Sequence, residues 1–224
     1  MGFQALGGHM GMVEFDAKGV KRRGYLALPS SQKGPGLLLL HAWWGLTDLF
    51  TGLADKFAAE GFVVFAPDMH DGKQTAEIAE AEKLVGELER DFPAAVAIAK
   101  GALETLQNHP AVTSKKQAAV GFSMGAAYAY MLDKEIPDAF DRIVLFYGMP
   151  GADISKSRAR YLGHYAENDP YEPSEAVENW KADNLQVHVY PGTGHWFFEH
   201  NRPDAYHAHA AKLAWDRTLA FLKS

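Results

Sequence analysis

The sequence predicts an α/β fold in which a mostly parallel sheet carries helices on both faces. Three observations predict it. Short β-rich runs alternate with helical patterns along most of the 224 residues, which marks parallel strands joined by helical crossovers. Two of the runs, Leu37–Leu40 and Phe62–Ala66, are apolar at every position, as strands covered on both faces must be. The chain is also long enough for one sizeable core and too short for two comfortable ones. Residues 12–224 therefore read as one domain. Met1–Gly11 reads as a leader outside it, because Gly7-Gly8-His9-Met10 resembles a cloning remnant and the charged start and apolar run of a signal peptide are missing.

Val13–Phe15 and Val20–Leu28 form an opening antiparallel pair around the turn Ala17-Lys18-Gly19. Gly34-Pro35-Gly36 breaks the chain before the Leu37–Leu40 strand. A helix capped by Thr47 or Asp48 runs to Ala59 and stops at Gly61. After the Phe62–Ala66 strand, a loop from Pro67 leads to helices at Thr75–Arg90 and Pro93–Asn108. Gln117–Val120 is a strand entering Gly121 directly, followed by a helix at Met124–Glu135. Strands at Ile143–Tyr147 and Arg160–His164, a helix at Ser174–Lys181, a strand at Leu185–Tyr190 and a helix from Asp204 to Leu222 complete the pattern. In such sheets ligands gather at the carboxyl ends of the strands.

Composition narrows the function classes. With 47% hydrophobic and 22% charged residues the chain reads as soluble and globular. A net charge of −6 with no basic stripe argues against nucleic acid and anionic lipid as partners. The absence of cysteine removes disulfides, a thiol nucleophile and thiolate metal sites together. The longest apolar stretch, Gly36–Leu40, is far too short to cross a bilayer. The expectation is a cytoplasmic monomer or small homo-oligomer acting on a small molecule, with no metal or other cofactor and no membrane partner.

Gly121-Phe122-Ser123-Met124-Gly125 fits G-x-S-x-G between a strand and a helix, the context in which a serine is raised above the sheet on a strained turn. A hydroxyl is a weak nucleophile near neutral pH and needs an imidazole to take its proton. Of ten histidines, His195 is best placed, in the loop Tyr190-Pro191-Gly192-Thr193-Gly194-His195 after the last strand. His200, His207 and His209 are the C-terminal alternatives. The last two stand two apart, which is wrong for one helical face and for a metal site. The acid must fall between Ser123 and His195. Asp169, in Glu167-Asn168-Asp169-Pro170, is the first choice, with Glu167 the local rival and Asp138 and Asp141 more distant ones. Its carboxylate would fix the histidine tautomer and stabilise the imidazolium formed during reaction.

Acyl transfer also needs backbone N–H groups aimed at the developing oxyanion. Met124, directly after the serine, and Trp43, in His41-Ala42-Trp43-Trp44-Gly45, are the expected donors; His41 reads as a side chain pinning that loop. Trp44, Phe122, Tyr147, Trp196 and Phe197 fall at strand ends or in adjoining loops and are expected to line an apolar substrate pocket. Met69–Thr75 and the helix after it are placed where a lid would be.

Taken together, Leu40-His41-Ala42-Trp43-Trp44-Gly45-Leu46, Phe65-Ala66-Pro67-Asp68, the Ser123 elbow, Glu167-Asn168-Asp169-Pro170 and Tyr190–Phe197 resemble the dienelactone hydrolase family from Val13 onward. The resemblance implies an α/β-hydrolase fold, a triad of Ser123, His195 and Asp169, and oxyanion donors at Trp43 and Met124. Three departures stand out. Well-known members carry a nucleophilic cysteine where this chain has Ser123, and a glutamate in the oxyanion loop where it has Ala42. They also clamp a substrate carboxylate with arginines, one shortly after the histidine, where Glu199 stands here. The expected substrate is therefore a neutral ester or lactone, with Lys73, His70 and Arg160 as the remaining sources of a cation. The same triad also serves thioester, peptide and haloperoxidase-like chemistry, and a binding module without activity is the remaining alternative.

Overall fold

The computed structural model describes residues 11–224. Among them are eight strands in one sheet, ordered β1-β2-β4-β3-β5-β6-β7-β8. β1 (Gly11–Ala17) and β2 (Val20–Ala27) form the expected antiparallel hairpin, which joins β4 (Val63–Pro67) antiparallel. β3 (Gly36–Leu40), β4, β5 (Gln117–Phe122), β6 (Phe140–Phe146), β7 (Arg160–Asn168) and β8 (Leu185–Gly194) are parallel. The expected leader lies outside the described residues except Gly11, which belongs to β1 and pairs with Leu26.

Helices α1 (Asp48–Ala59), α2 (Ile78–Arg90), α3 (Phe92–Gln107), α4 (Met124–Glu135), α5 (Ser174–Asn179) and α6 (Ala208–Lys223) connect and cover these strands. Every residue of β3, β4 and β5 is buried, so alternate side chains feed two separate cores. One gathers Leu37, Leu39, Phe50, Phe57 and Phe122 with Ala214 and Phe221 of α6. The other gathers Leu38, Leu40, Ile98, Leu103 and Leu132 beneath α3 and α4. The fold class matches the sequence reading.

Two helix starts differ from expectation, for local reasons. α2 begins at Ile78 rather than Thr75, because the Thr75 N–H donates to Trp44 O and its hydroxyl accepts from the Glu77 N–H. α6 begins at Ala208 rather than Asp204. The Arg202 carbonyl closes a turn on Ala205 and Tyr206, and His207 Nδ1 caps the helix by accepting from the Ala210 N–H at 3.2 Å.

The order of the sheet fixes where a site can form. From β3 the chain crosses to β4 on one side and then returns to β5 on the other. The crevice beyond the carboxyl ends of β3 and β5 is thus a topological switch point, and the loops leaving these strands are His41–Gly45 and the Ser123 elbow.

Candidate active site

Ser123 sits between β5 and α4 with φ 50° and ψ −113°, a region that L-residues avoid and that costs about 1–3 kcal/mol. The flanking glycines permit the turn by close approach. A Cβ on Gly121 would stand 2.4 Å from Gly125 O, and one on Gly125 would stand 2.2 Å from Leu40 O. The second contact also presses the first turn of α4 against the end of β3, which puts Met124 and the His41–Gly45 loop side by side. That loop is pinned by His41, whose Nδ1–H donates to Ala42 O at 2.6 Å while Nε2 accepts from the Met69 N–H at 3.1 Å. Burial pushes the His41 imidazole down to about 4, so it is neutral and structural, as expected.

His195 follows β8 and is buried. Its Nε2 lies 3.1 Å from Ser123 Oγ, and its Nδ1 lies 2.7 and 2.9 Å from the two Asp169 oxygens. An ionised carboxylate only accepts, so Nδ1 carries the proton and the Nε2 lone pair faces the hydroxyl. Asp169 stands just past β7, where its Oδ1 also accepts from the backbone N–H groups of Tyr171 at 2.9 Å and Glu172 at 3.1 Å. The other acids go elsewhere. Glu167 accepts from the Gly192 N–H, Asp138 pairs with Lys116 and Arg158, and Asp141 pairs with Arg142. His200, His207 and His209 are exposed.

The expected pocket residues divide. Phe122 is 1% exposed and packs on Phe50, Phe146 and Phe198, and Phe197 is fully buried against Tyr147 and Tyr190. Both belong to the core. Trp44 and Tyr147 are buried beneath the site rather than in its mouth. The ring that opens to solvent beside the Ser123–His195–Asp169 hydrogen bonds is Tyr171, 46% exposed, with its centroid 4.9 Å from that of His195. Half-buried Trp43 stands 5.8 Å from Tyr171 and 5.8 Å from Trp196, so Trp43 and Tyr171 wall the mouth and the buried Trp196 backs them. Only the Asp-Pro-Tyr-Glu turn beside the acid hinted at Tyr171.

The cations are engaged. Lys73 pairs with Glu87, and burial pushes His70 down to about 4. Arg160 begins β7, at the opposite sheet edge from Ser123, where it bonds Ser224. Arg202 lies over the Trp44 ring at 4.5 Å and the Trp196 ring at 5.0 Å, donates to Ala76 O and pairs with Asp204. The Ala76 bond ties the segment before α2 to the histidine loop, and Gln74 Nε2 ties it to Leu46 O. Among the described residues no group of three or more His, Cys, Asp or Glu is placed to hold a metal, and no helix is long and apolar enough to cross a membrane.

With this geometry in place, comparison with known proteins is specific. The family model for the dienelactone hydrolase family matches residues 22–224. The chain belongs to the dienelactone hydrolase family. It is similar to protein usf of Aquifex pyrophilus, 34% identical over 95% of this chain and 97% of that one. It is also similar to a putative carboxymethylenebutenolidase of Aquifex aeolicus (strain VF5), 33% identical over 95% and 97%. A putative dienelactone hydrolase from Klebsiella pneumoniae shares the fold, with a TM-score of 0.79 at 20% identity over 96% of this chain and 99% of that one. Membership makes the chain an ester or lactone hydrolase.

Proposed function

We propose that this protein hydrolyses neutral carboxylic esters or lactones through an acyl-enzyme on Ser123. The observation that carries the reading is the relay from Ser123 Oγ through His195, at 3.1 Å, to Asp169, at 2.7 Å. His195 Nε2 takes the hydroxyl proton as Oγ attacks the carbonyl carbon. The backbone N–H groups of Met124 and Trp43 receive the oxyanion, each donor worth about 3 kcal/mol. Collapse of the tetrahedral species expels the alcohol, protonated by His195. Water then gives a proton to the same nitrogen and attacks the acyl carbon, and collapse of the second tetrahedral species returns that proton to Oγ, freeing the acid and Ser123. Asp169 stays ionised throughout and steadies the imidazolium.

Two features support a neutral substrate. The mouth is walled by Trp43 and Tyr171 and backed by Trp196, and the Lys73 and Arg202 cations are already paired or stacked. The relatives named carboxymethylenebutenolidase favour a lactone among the substrates. The unbroken eight-stranded sheet supports reading residues 12–224 as one hydrolase domain.

A fluorophosphonate probe and an aryl-ester series, run beside thioesters and peptide anilides, test the proposal. Covalent labelling and ester turnover, both lost in Ser123→Ala, are expected. A folded wild-type protein that neither labels nor turns over any ester ends it.

A further inference from the structure

Two buried polar side chains stand behind the imidazole and take no part in the bond making proposed above. Tyr147, just past β6, is fully buried and left-handed at φ 38°, and its ring centroid lies 4.8 Å from that of His195. Its hydroxyl donates to Glu199 Oε1 at 2.7 Å across 52 residues of sequence. Glu199 is fully buried too. A left-handed backbone at a bulky aromatic is uncommon, and such strain gathers where the surroundings over-determine a position for function.

The imidazole has a mechanical need that this pair can meet. The Asp169 contacts hold the Nδ1 edge but leave the ring free to rock about the Nδ1–carboxylate axis. Rocking carries Nε2 off the hydroxyl, and a productive constellation tolerates only about 0.5 Å of such error. A second ring packed on the imidazole stops the motion if that ring is itself fixed. Tyr171 and Trp196 also lie against His195, but Tyr171 is half open to solvent and the buried Trp196 meets the imidazole edge-on with no hydrogen bond on its indole N–H. Tyr147 is enclosed and anchored.

We propose that Tyr147 and Glu199 are a positioning pair for His195, the Tyr147 ring backing the imidazole and Glu199 fixing that ring by its hydroxyl. The proposal rests on the Ser123–His195–Asp169 reading. The groups facing Glu199 are Tyr147 at the end of β6, Trp44 in the loop after β3, and Arg202 on its own loop; Asp169 also acts on Tyr147. Burial pushes the Glu199 carboxyl up to about 8, against the pull of Tyr147, Arg202 and Trp44. Near neutral pH it therefore anchors the ring without placing a full negative charge behind the imidazole. A glutamine offers the same acceptor and the same neutrality.

The test is a double-mutant cycle on the full chain with a neutral aryl ester, reading kcat, KM and melting temperature separately. Tyr147→Phe keeps the ring and loses the anchor; Glu199→Met keeps the bulk and loses the acceptor. Each is expected to lower kcat about 10- to 100-fold with KM held within about twofold. The double variant should fall no further than either single one, since the pair acts as a unit. Glu199→Gln should recover most of the kcat lost in Glu199→Met. Unchanged kcat with a lowered melting temperature overturns the proposal, as do additive losses or losses carried by KM. Ser123→Ala, run alongside, separates the two readings. Turnover that survives it removes the triad reading itself, whereas Ser123-dependent turnover indifferent to Tyr147→Phe removes only the positioning pair.

Discussion

Glu199→Gln should change how stability depends on pH, and the structure sets the size of the change. An unfolded chain holds this carboxyl near its ordinary 4.5, while burial in the folded protein raises it to about 8. Between those values the folded state binds a proton that the unfolded state has released. The stabilisation from that proton is complete below pH 4.5 and drains away as pH rises through 8. Well inside the window each pH unit removes about 1.4 kcal/mol, and the slope halves at the folded pKa, so from pH 6 to pH 8 the wild type should lose about 2 kcal/mol relative to the glutamine variant. The other shifted groups, among them Glu172 raised to about 7 and His41 and His70 lowered to about 4, are common to both proteins and cancel in the difference. Urea titrations of both proteins at pH 6, 7 and 8 measure it directly. Parallel curves, with the same stability gap at all three values, would refute the buried neutral carboxyl.

Other expectations follow from distances already given. Asp169→Asn removes the acceptor that fixes the proton on Nδ1, and kcat for esters should drop by about 10⁴-fold; a stopped assay on purified protein suffices to see it. Gly125→Ala puts a Cβ 2.2 Å from Leu40 O, and denaturation should show a loss of about 2 kcal/mol or more together with lost turnover. Tyr171→Leu should erase a preference for benzyl over cyclohexylmethyl acetate while Tyr171→Phe keeps it, because these alcohols differ chiefly in planarity; a ratio of kcat/KM values untouched by Tyr171→Leu would count against the aromatic mouth.

Much of this architecture can be read from residue order because each key group sits next to a strand end. Ser123, Asp169 and His195 follow β5, β7 and β8 directly, and parallel pairing brings those ends together whatever the details of packing. The antiparallel opening and the central apolar strands were equally plain. Side-chain direction was not. β5 is buried on both faces and has no polar–apolar alternation to say which way Phe122 points, and Phe197 lies in a loop with no periodicity to read, so both read as pocket and prove to be core. The Tyr147–Glu199 contact spans 52 residues, and a lone glutamate in an aromatic run gives no sign of its partner. Helix starts shifted where side chains of Thr75 and His207 offered the backbone a local alternative.

The indole cluster has an optical consequence. Trp43, Trp44 and Trp196 lie within 5.8 Å of one another, and Trp196 is 5.0 Å from His195. Three of the five tryptophans in the chain therefore lie close enough to share their excitation beside the site, next to the His195 imidazole. Ester analogues that bind beside Trp43 should therefore alter the intrinsic fluorescence, which a titration without a label would read.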